Sequence, residues 1–443
     1  MQEDFLPRDI FDILLARLGV LMNLVEAVLK ANESAALEAL KDIIPRAQPS
    51  AIWAILMHAA SWHEQRTYDT PHSTILTFSI HRMIEELGPH SKLLVEEPDE
   101  IQIPVDSDLK KHLQLALIQR LTQHLVAVDH WSPEKGPRYK VTSGVDSPGN
   151  LLRKFSQSIR EKSQIGIMEA GIGLSSMNEF YRLHRMAVSM AAERPDSLGH
   201  GFIMPVSLLA EIPEAKYTNP TYASLWHLAE YMVRKVPSET PGKFIVDDQF
   251  KNPADSTDLT PHIDLFGTAI VDYGTLGHNG IFAHRIAYAS NNGLIHQKTV
   301  EWLLDALKKN IQGSILKKTQ LKTKNLITKR DGTDWESVPS EINLPSSEKV
   351  RSWFSDNYSE VWNAMLDLKS STFENTILTL KEDDFSLVRA AQYALCTLYG
   401  RPKSSHIMIY TQGVWGLTDY GLVPQDLAAL QVHRMIREYL KGR

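Results

Sequence analysis

Apolar residues recur at three- and four-residue spacing along almost the whole chain, which is the period of helices that bury one face. The pattern predicts helices over residues 8–30, 35–44, 51–66, 72–87, 109–128, 149–160, 175–193, 201–212, 221–235, 279–290, 297–310, 348–368, 385–399 and 426–441. The clearest is HSTILTFSIHRMIEELG, where Ile75, Leu76, Ile80, Met83, Ile84 and Leu87 form one stripe and Gly88 is placed to end the helix. The best strand signal is KFIVDDQF, Lys243 to Phe250, and it stands alone. A lone strand makes no sheet. The predicted fold is therefore all-α: one large helical, bundle-like unit over residues 1–443, with an N-terminal and a C-terminal part packed together.

Four segments interrupt the helical period, at about 93–108, 132–148, 236–262 and 313–347. They are rich in proline, glycine and acidic residues. Connections of this length in a helical unit are expected to be covers or insertions. The last begins with a lysine-rich run, KKTQLKTKNLITKR, at 317–330. The run lacks interleaved aromatic residues, so it reads as a solvated face or exposed loop and not as a nucleic-acid patch.

Composition narrows the class without naming it. The 443 residues are 43% hydrophobic and 23% charged, with a formal net charge of −6, which speaks against a bulk nucleic-acid or anionic-membrane binder. The first apolar stretch is broken by Asp12, Arg17, Asn23 and Glu26, so it reads as a core helix and not as a membrane span. No secretory signal precedes it, and the expected location is the cytoplasm. One cysteine, Cys396, excludes an internal disulfide framework and any cysteine-rich metal site. It lies in an apolar helical stretch and is expected to be a packing thiol.

The candidate chemistry lies in the 17 histidines. One phrase occurs twice: SLGHGF from Ser197 and TLGHNGIF from Thr275. With Ser197 and Thr275 as helix caps, His200 and His278 would each fall at the third helical position. In YDTPHSTILTF, Thr70 and Pro71 similarly place His72 in the first turn of a helix. The positive end of a helix dipole opposes an imidazolium and favours the neutral ring, which is the form that binds metals. The same dipole opposes a metal cation, so a metal there needs offsetting anionic or strongly donating ligands. His284 is a fourth candidate. Six residues separate it from His278, about 120° apart on a regular helix. The two can share an ion only if His278 stands outside the regular helix. His58 and His63 in HAASWHEQR, and His227 in WHLAEY, remain for supporting acid–base roles. There is no P-loop, dinucleotide-binding fingerprint, serine-hydrolase elbow or HExxH motif.

Three stretches, YDTPHSTILTFSIHRMIEELG, LGHGFIMPVSLLAEI with ASLWHLAEYMVRK, and GHNGIFAHRIAYA, together resemble the questin oxidase-like proteins in motif order and spacing, over roughly residues 50–415. The resemblance implies an oxygenase that cleaves a ring of an aromatic or polycyclic small molecule with dioxygen and a non-haem iron. It also implies His72, His200, His278 and His284 as metal ligands. The family often carries a His-x-x-Lys helix near the C-terminus, whose lysine becomes a carboxylated ligand. The stretch taken to correspond, KEDDFSLVRAAQYAL, has Phe385, Ser386, Val388 and Arg389 there, and an arginine cannot be carboxylated. Two other readings stay open: a helical binding module or complex subunit that has lost the catalytic site, and a metal-dependent hydrolase.

Overall fold

In the computed structural model, the described residues are 23–45, 47–64, 72–88, 107–132, 134–137, 146–195, 198–211, 221–235, 256–320, 345–367, 370–398 and 405–440. Their regular structure is helical, and among them the only extended pairing is an isolated bridge between His63 and His130. The fold is all-α, as the apolar period predicts. The strand expected at Lys243–Phe250 lies outside the described residues. So do residues 93–106, 138–145, 236–255 and 321–344 of the expected insertions.

In chain order, α1 is described over residues 23–29. It is followed by α2 (Glu33–Ile43), α3 (Pro49–Ala60), α4 (His72–Glu86), α5 (Ser107–Ala127), α6 (Pro148–Arg160), α7 (Gln164–Ser176), α8 (Phe180–Ala192), α9 (His200–Glu211) and α10 (Thr221–Lys235). The second half comprises α11 (Ile263–Val271), α12 (His278–Asn291), α13 (Gln297–Gln320), α14 (Pro345–Asn357), α15 (Ser359–Leu366), α16 (Ser370–Ile377), α17 (Phe385–Leu398), α18 (His406–Asp419) and α19 (Gln425–Leu440). Helix α13 extends through Gln320, so the start of the lysine-rich run is helical and not part of a loop.

Four of these helices make the centre. α4 packs on α9, α9 on α12, α12 on α18 and α18 on α4, closing a ring. Their sequences suit that place. In α12 nearly every residue from His278 to Ser290 is buried, and in α18 every residue from His406 to Leu417 is. A helix buried on all sides has no polar face to show. The other helices wrap the ring: α3 and α5 against α4, α8 and α10 against α9, α11 and α13 against α12, and α17 and α19 against α18. Here the amphipathic pattern is plain. α6 turns Leu151, Leu152, Phe155 and Ile159 inward and Arg153 and Lys154 outward.

The four central helices run in the same direction. Their first residues are His72, His200, His278 and His406, and the side chains of all four meet. Six or seven residues on, about 9–10.5 Å along each axis, the same helices meet again. Arg285 of α12 donates from Nε to Ser207 Oγ of α9 (2.9 Å) and from Nη2 to Ser79 Oγ of α4 (3.0 Å). Its Nη1 points to Gln412 Oε1 of α18 at 3.5 Å. Two layers in one register fix the helices as parallel. A third polar cluster closes the far end. Glu86 and Asp419, the last residues of α4 and α18, both hold Arg389 of α17. Arg389 donates to both Asp419 oxygens at 2.8 and 2.9 Å, and its Nε donates to Tyr393 at 2.9 Å.

Candidate metal centre

The local backbone explains why two histidines sit in the same phrase. In each Leu-Gly-His, leucine and glycine are both left-handed: Leu198 has φ +64° and Gly199 φ +93°, while Leu276 has φ +54° and Gly277 φ +87°. The two-residue reversal turns the chain sharply into the helix, and the histidine becomes the first helical residue, not the third. For α12 the cap is Gly277 and not Thr275, and it offers no side-chain bond. Ser197 lies outside the described residues. Both glycines are also places of close approach. A Cβ on Gly199 would stand 2.7 Å from Phe282 of α12, and one on Gly277 would stand 2.6 Å from Tyr410 of α18. Each of these rings lies four residues after the histidine of the next helix in the ring. The same packing step is thus used twice, from α9 to α12 and from α12 to α18.

The four ligand atoms offered by His72, His200, His278 and His406 all lie within 4.8 Å of one another. His278 Nε2 is 3.0 Å from His200 Nε2, which is 3.3 Å from His72 Nε2. Two imidazole nitrogens on one ion at about 2.1 Å stand roughly 3.0 Å apart at a right angle and roughly 3.4 Å apart at a tetrahedral angle. The observed separations therefore fit a shared ion. His406 closes the set, with ring centroids 4.5 Å from His72 and 4.9 Å from His278. Among the described residues no carboxylate or thiol joins the group.

The surroundings favour the neutral form of His278 and His406 and fix the orientation of His278. His278 Nδ1–H donates to the Thr275 carbonyl at 2.5 Å, which leaves the Nε2 lone pair facing the centre. Burial lowers the His278 pKa to about 4, and that same bond opposes the shift only in part. Burial also holds His406 well below the usual histidine range, with positive charge on His72, His278, His200 or His124 opposing its own. Tyr231 of α10 donates to the His200 carbonyl at 2.8 Å and pins the start of α9. His278 and His406 are 4% and 7% exposed, His200 is 9% exposed, and His72 is partly open. His72 is the least buried of the four rings.

His284 does not join the group. His278 begins a regular helix, so the six-residue spacing carries His284 about 9 Å along α12 and 120° round it. There it wedges against α18. A Cβ on Gly416 would stand 2.4 Å from His284 Nε2, and one on Gly413 would stand 3.4 Å from its Cβ, so these glycines make room for the ring. It stacks on Tyr420 and pairs with Arg285. Burial, with Arg285, Arg82 and Arg389 nearby, keeps it neutral.

The supporting candidates are also apart from the set. His58, near the end of α3, accepts from Trp62 Nε1 at 3.3 Å. His63 is buried where the chain after α3 pairs with the chain after α5. His227 is fully buried on α10. None of the three offers an atom to the four-histidine group. The residues that sequence reasoning passed over are His406 and, beside it, His124 of α5. Arg389 lies at the opposite end of the ring from the histidines, about 20 Å away along α4, so it does not hold the place of a metal ligand. Cys396 is buried and its thiol is pushed up to about 12, mainly by burial, as expected of a packing residue.

Architecture and site define a parallel four-helix ring with a candidate metal centre at its N-terminal end. No helix is long and apolar enough to cross a membrane. Comparison with family models, with curated proteins and with solved structures found no match.

Proposed function

We propose that the four histidines hold one divalent transition-metal ion, and that the protein is an oxidoreductase using iron and dioxygen on an aromatic or polycyclic small molecule. The observation that carries the reading is the convergence of four imidazoles from the first residues of four helices. Imidazole nitrogens buried with their lone pairs facing one another lose hydration, and a shared cation would offset that cost. Neutral nitrogen donors suit iron, copper, nickel and zinc and are poor hosts for magnesium or calcium. The resemblance to questin oxidase-like proteins selects iron among them. In its terms, His406 opens a C-terminal helix, and Ile409 stands three residues on, where the family often has lysine. Isoleucine cannot be carboxylated, so among the described residues the donor set is imidazole alone.

When bound, iron would supply the redox chemistry with dioxygen. The chain's part is to hold four lone pairs at fixed angles. A zinc or manganese hydrolase is the second reading, favoured by the same donor set. Metal content separates the readings. Protein purified without oxygen should carry about one iron per chain. His406→Ala should lose it with helicity unchanged, while His284→Ala should keep it. The reverse pattern would refute the ligand set. Zinc in place of iron, with turnover in the absence of dioxygen, would favour the hydrolase.

A further inference from the structure

The charge around the centre leads to a statement about its ligand, which rests on the metal reading above. Four neutral imidazoles leave a divalent ion with its full charge. Among the described residues no carboxylate stands in the group to offset it. The helices add to the imbalance. His72, His200, His278 and His406 are each the first residue of a helix of 12 to 15 residues, so four positive dipole ends meet at one point. Parallel dipoles with their like ends together repel, and a cation among them is opposed again. His406 supplies an independent sign that a ligand belongs there: its Nε2 is buried, makes no hydrogen bond, and its ring lies against His72 and His278. A buried nitrogen acceptor without a donor is stabilised by a bound cation, and that cation requires an anion.

We infer that the centre binds an anionic oxygen donor of the substrate, a carboxylate or an ionised phenol or enol, in preference to a neutral one. The anion would offset part of the charge of the ion and of the four helix ends.

The test uses the full-length protein loaded with cobalt(II), whose visible bands report the ligands around it. Formate and formamide are matched in size and differ in charge. Formate should shift the cobalt bands and do so with at least about ten-fold higher affinity than formamide, because each helix end adds to the preference. The same titration on protein without cobalt should give no saturable signal. Equal affinities for the two probes, or no shift with formate, would overturn the inference while leaving the metal site standing. Failure to bind cobalt would instead remove the metal reading on which the inference rests.

Discussion

Replacing Gly277 by alanine puts the packing around the centre to a quantitative test. Gly277 has φ +87°, and a left-handed alanine costs about 1–2 kcal/mol. The new methyl group would also stand 2.6 Å from Tyr410 Cδ2, 2.9 Å from Cγ and 3.0 Å from Cβ. These are the atoms of the ring nearest its backbone, and the far end is tied by a 2.8 Å bond from the Tyr410 hydroxyl to the Ile270 carbonyl. The ring cannot swing away without losing that bond, so overpacking adds about 1–3 kcal/mol. Gly421→Ala is the control. Gly421 has φ +67° after α18, and a Cβ there meets nothing within 4 Å. It should cost only the backbone part. Equilibrium urea unfolding followed by circular dichroism should thus place Gly277→Ala about 1–3 kcal/mol below Gly421→Ala. Cobalt affinity should fall in the first variant alone, since His278 follows the displaced residue. Equal stability of the two variants would refute the close-approach account of the Leu-Gly-His turn.

Arg285→Met would remove the guanidinium that bridges α4, α9 and α12. We expect a loss of about 2–4 kcal/mol, since bonds from a charged donor are worth about 1.5–3 kcal/mol each and the methionine stem recovers part. Cobalt affinity should also fall at least ten-fold, although Arg285 lies two turns from the ion; unchanged affinity would show that the second layer does not set the first. Stability should decline on mild acidification. Burial lowers the pKa of His184 to about 3 and of His433 to about 4, so both are neutral when folded at neutral pH. The unfolded chain takes up these protons first, near its pKa of about 6.5. Stability is therefore fully present above about pH 6.5 and declines by about 1.4 kcal/mol per unit for each ring until its folded pKa is passed. Urea midpoints at pH 7.5, 6.0 and 5.0 measure this directly, and a flat profile would refute neutral burial of these rings.

Most of the wrapping helices are legible in the sequence because each keeps a polar face. Four helices fall outside the predicted ranges: the short α11 and α16, and two longer ones, α7, QIGIMEAGIGLSS, and α18, HIMIYTQGVWGLTD. Both are apolar on every side and rich in glycine, so neither the moment nor the propensity marks them as helices. The difference in the histidine set follows from the missing period of α18. Without that helix His406 has nothing to open in the sequence, and the fourth place falls to His284 through the family resemblance and its six-residue spacing from His278. His406 carried a weak version of the signal that exposed the others, with Ser405 before it and an apolar run after it. The caps assigned to Ser197 and Thr275 had a similar cause. A left-handed leucine is uncommon, and nothing in the residue type announces it.

The parallel ring also accounts for the size of the chain. Neighbouring helices that run the same way cannot be joined by a short turn, because the chain must first return the full length of the bundle. Three returns are needed. They are made by α5 to α8, by α10 and α11, and by α13 to α17, which are the helices that cover the ring. An antiparallel bundle would have joined the same four helices with short loops and paired their dipoles favourably. It would also have put two histidines at each end. Only the parallel arrangement brings four helix starts to one point, at the cost of like dipole ends in contact. That cost falls on the end where the four histidines meet, and an anion bound at that end would offset part of it.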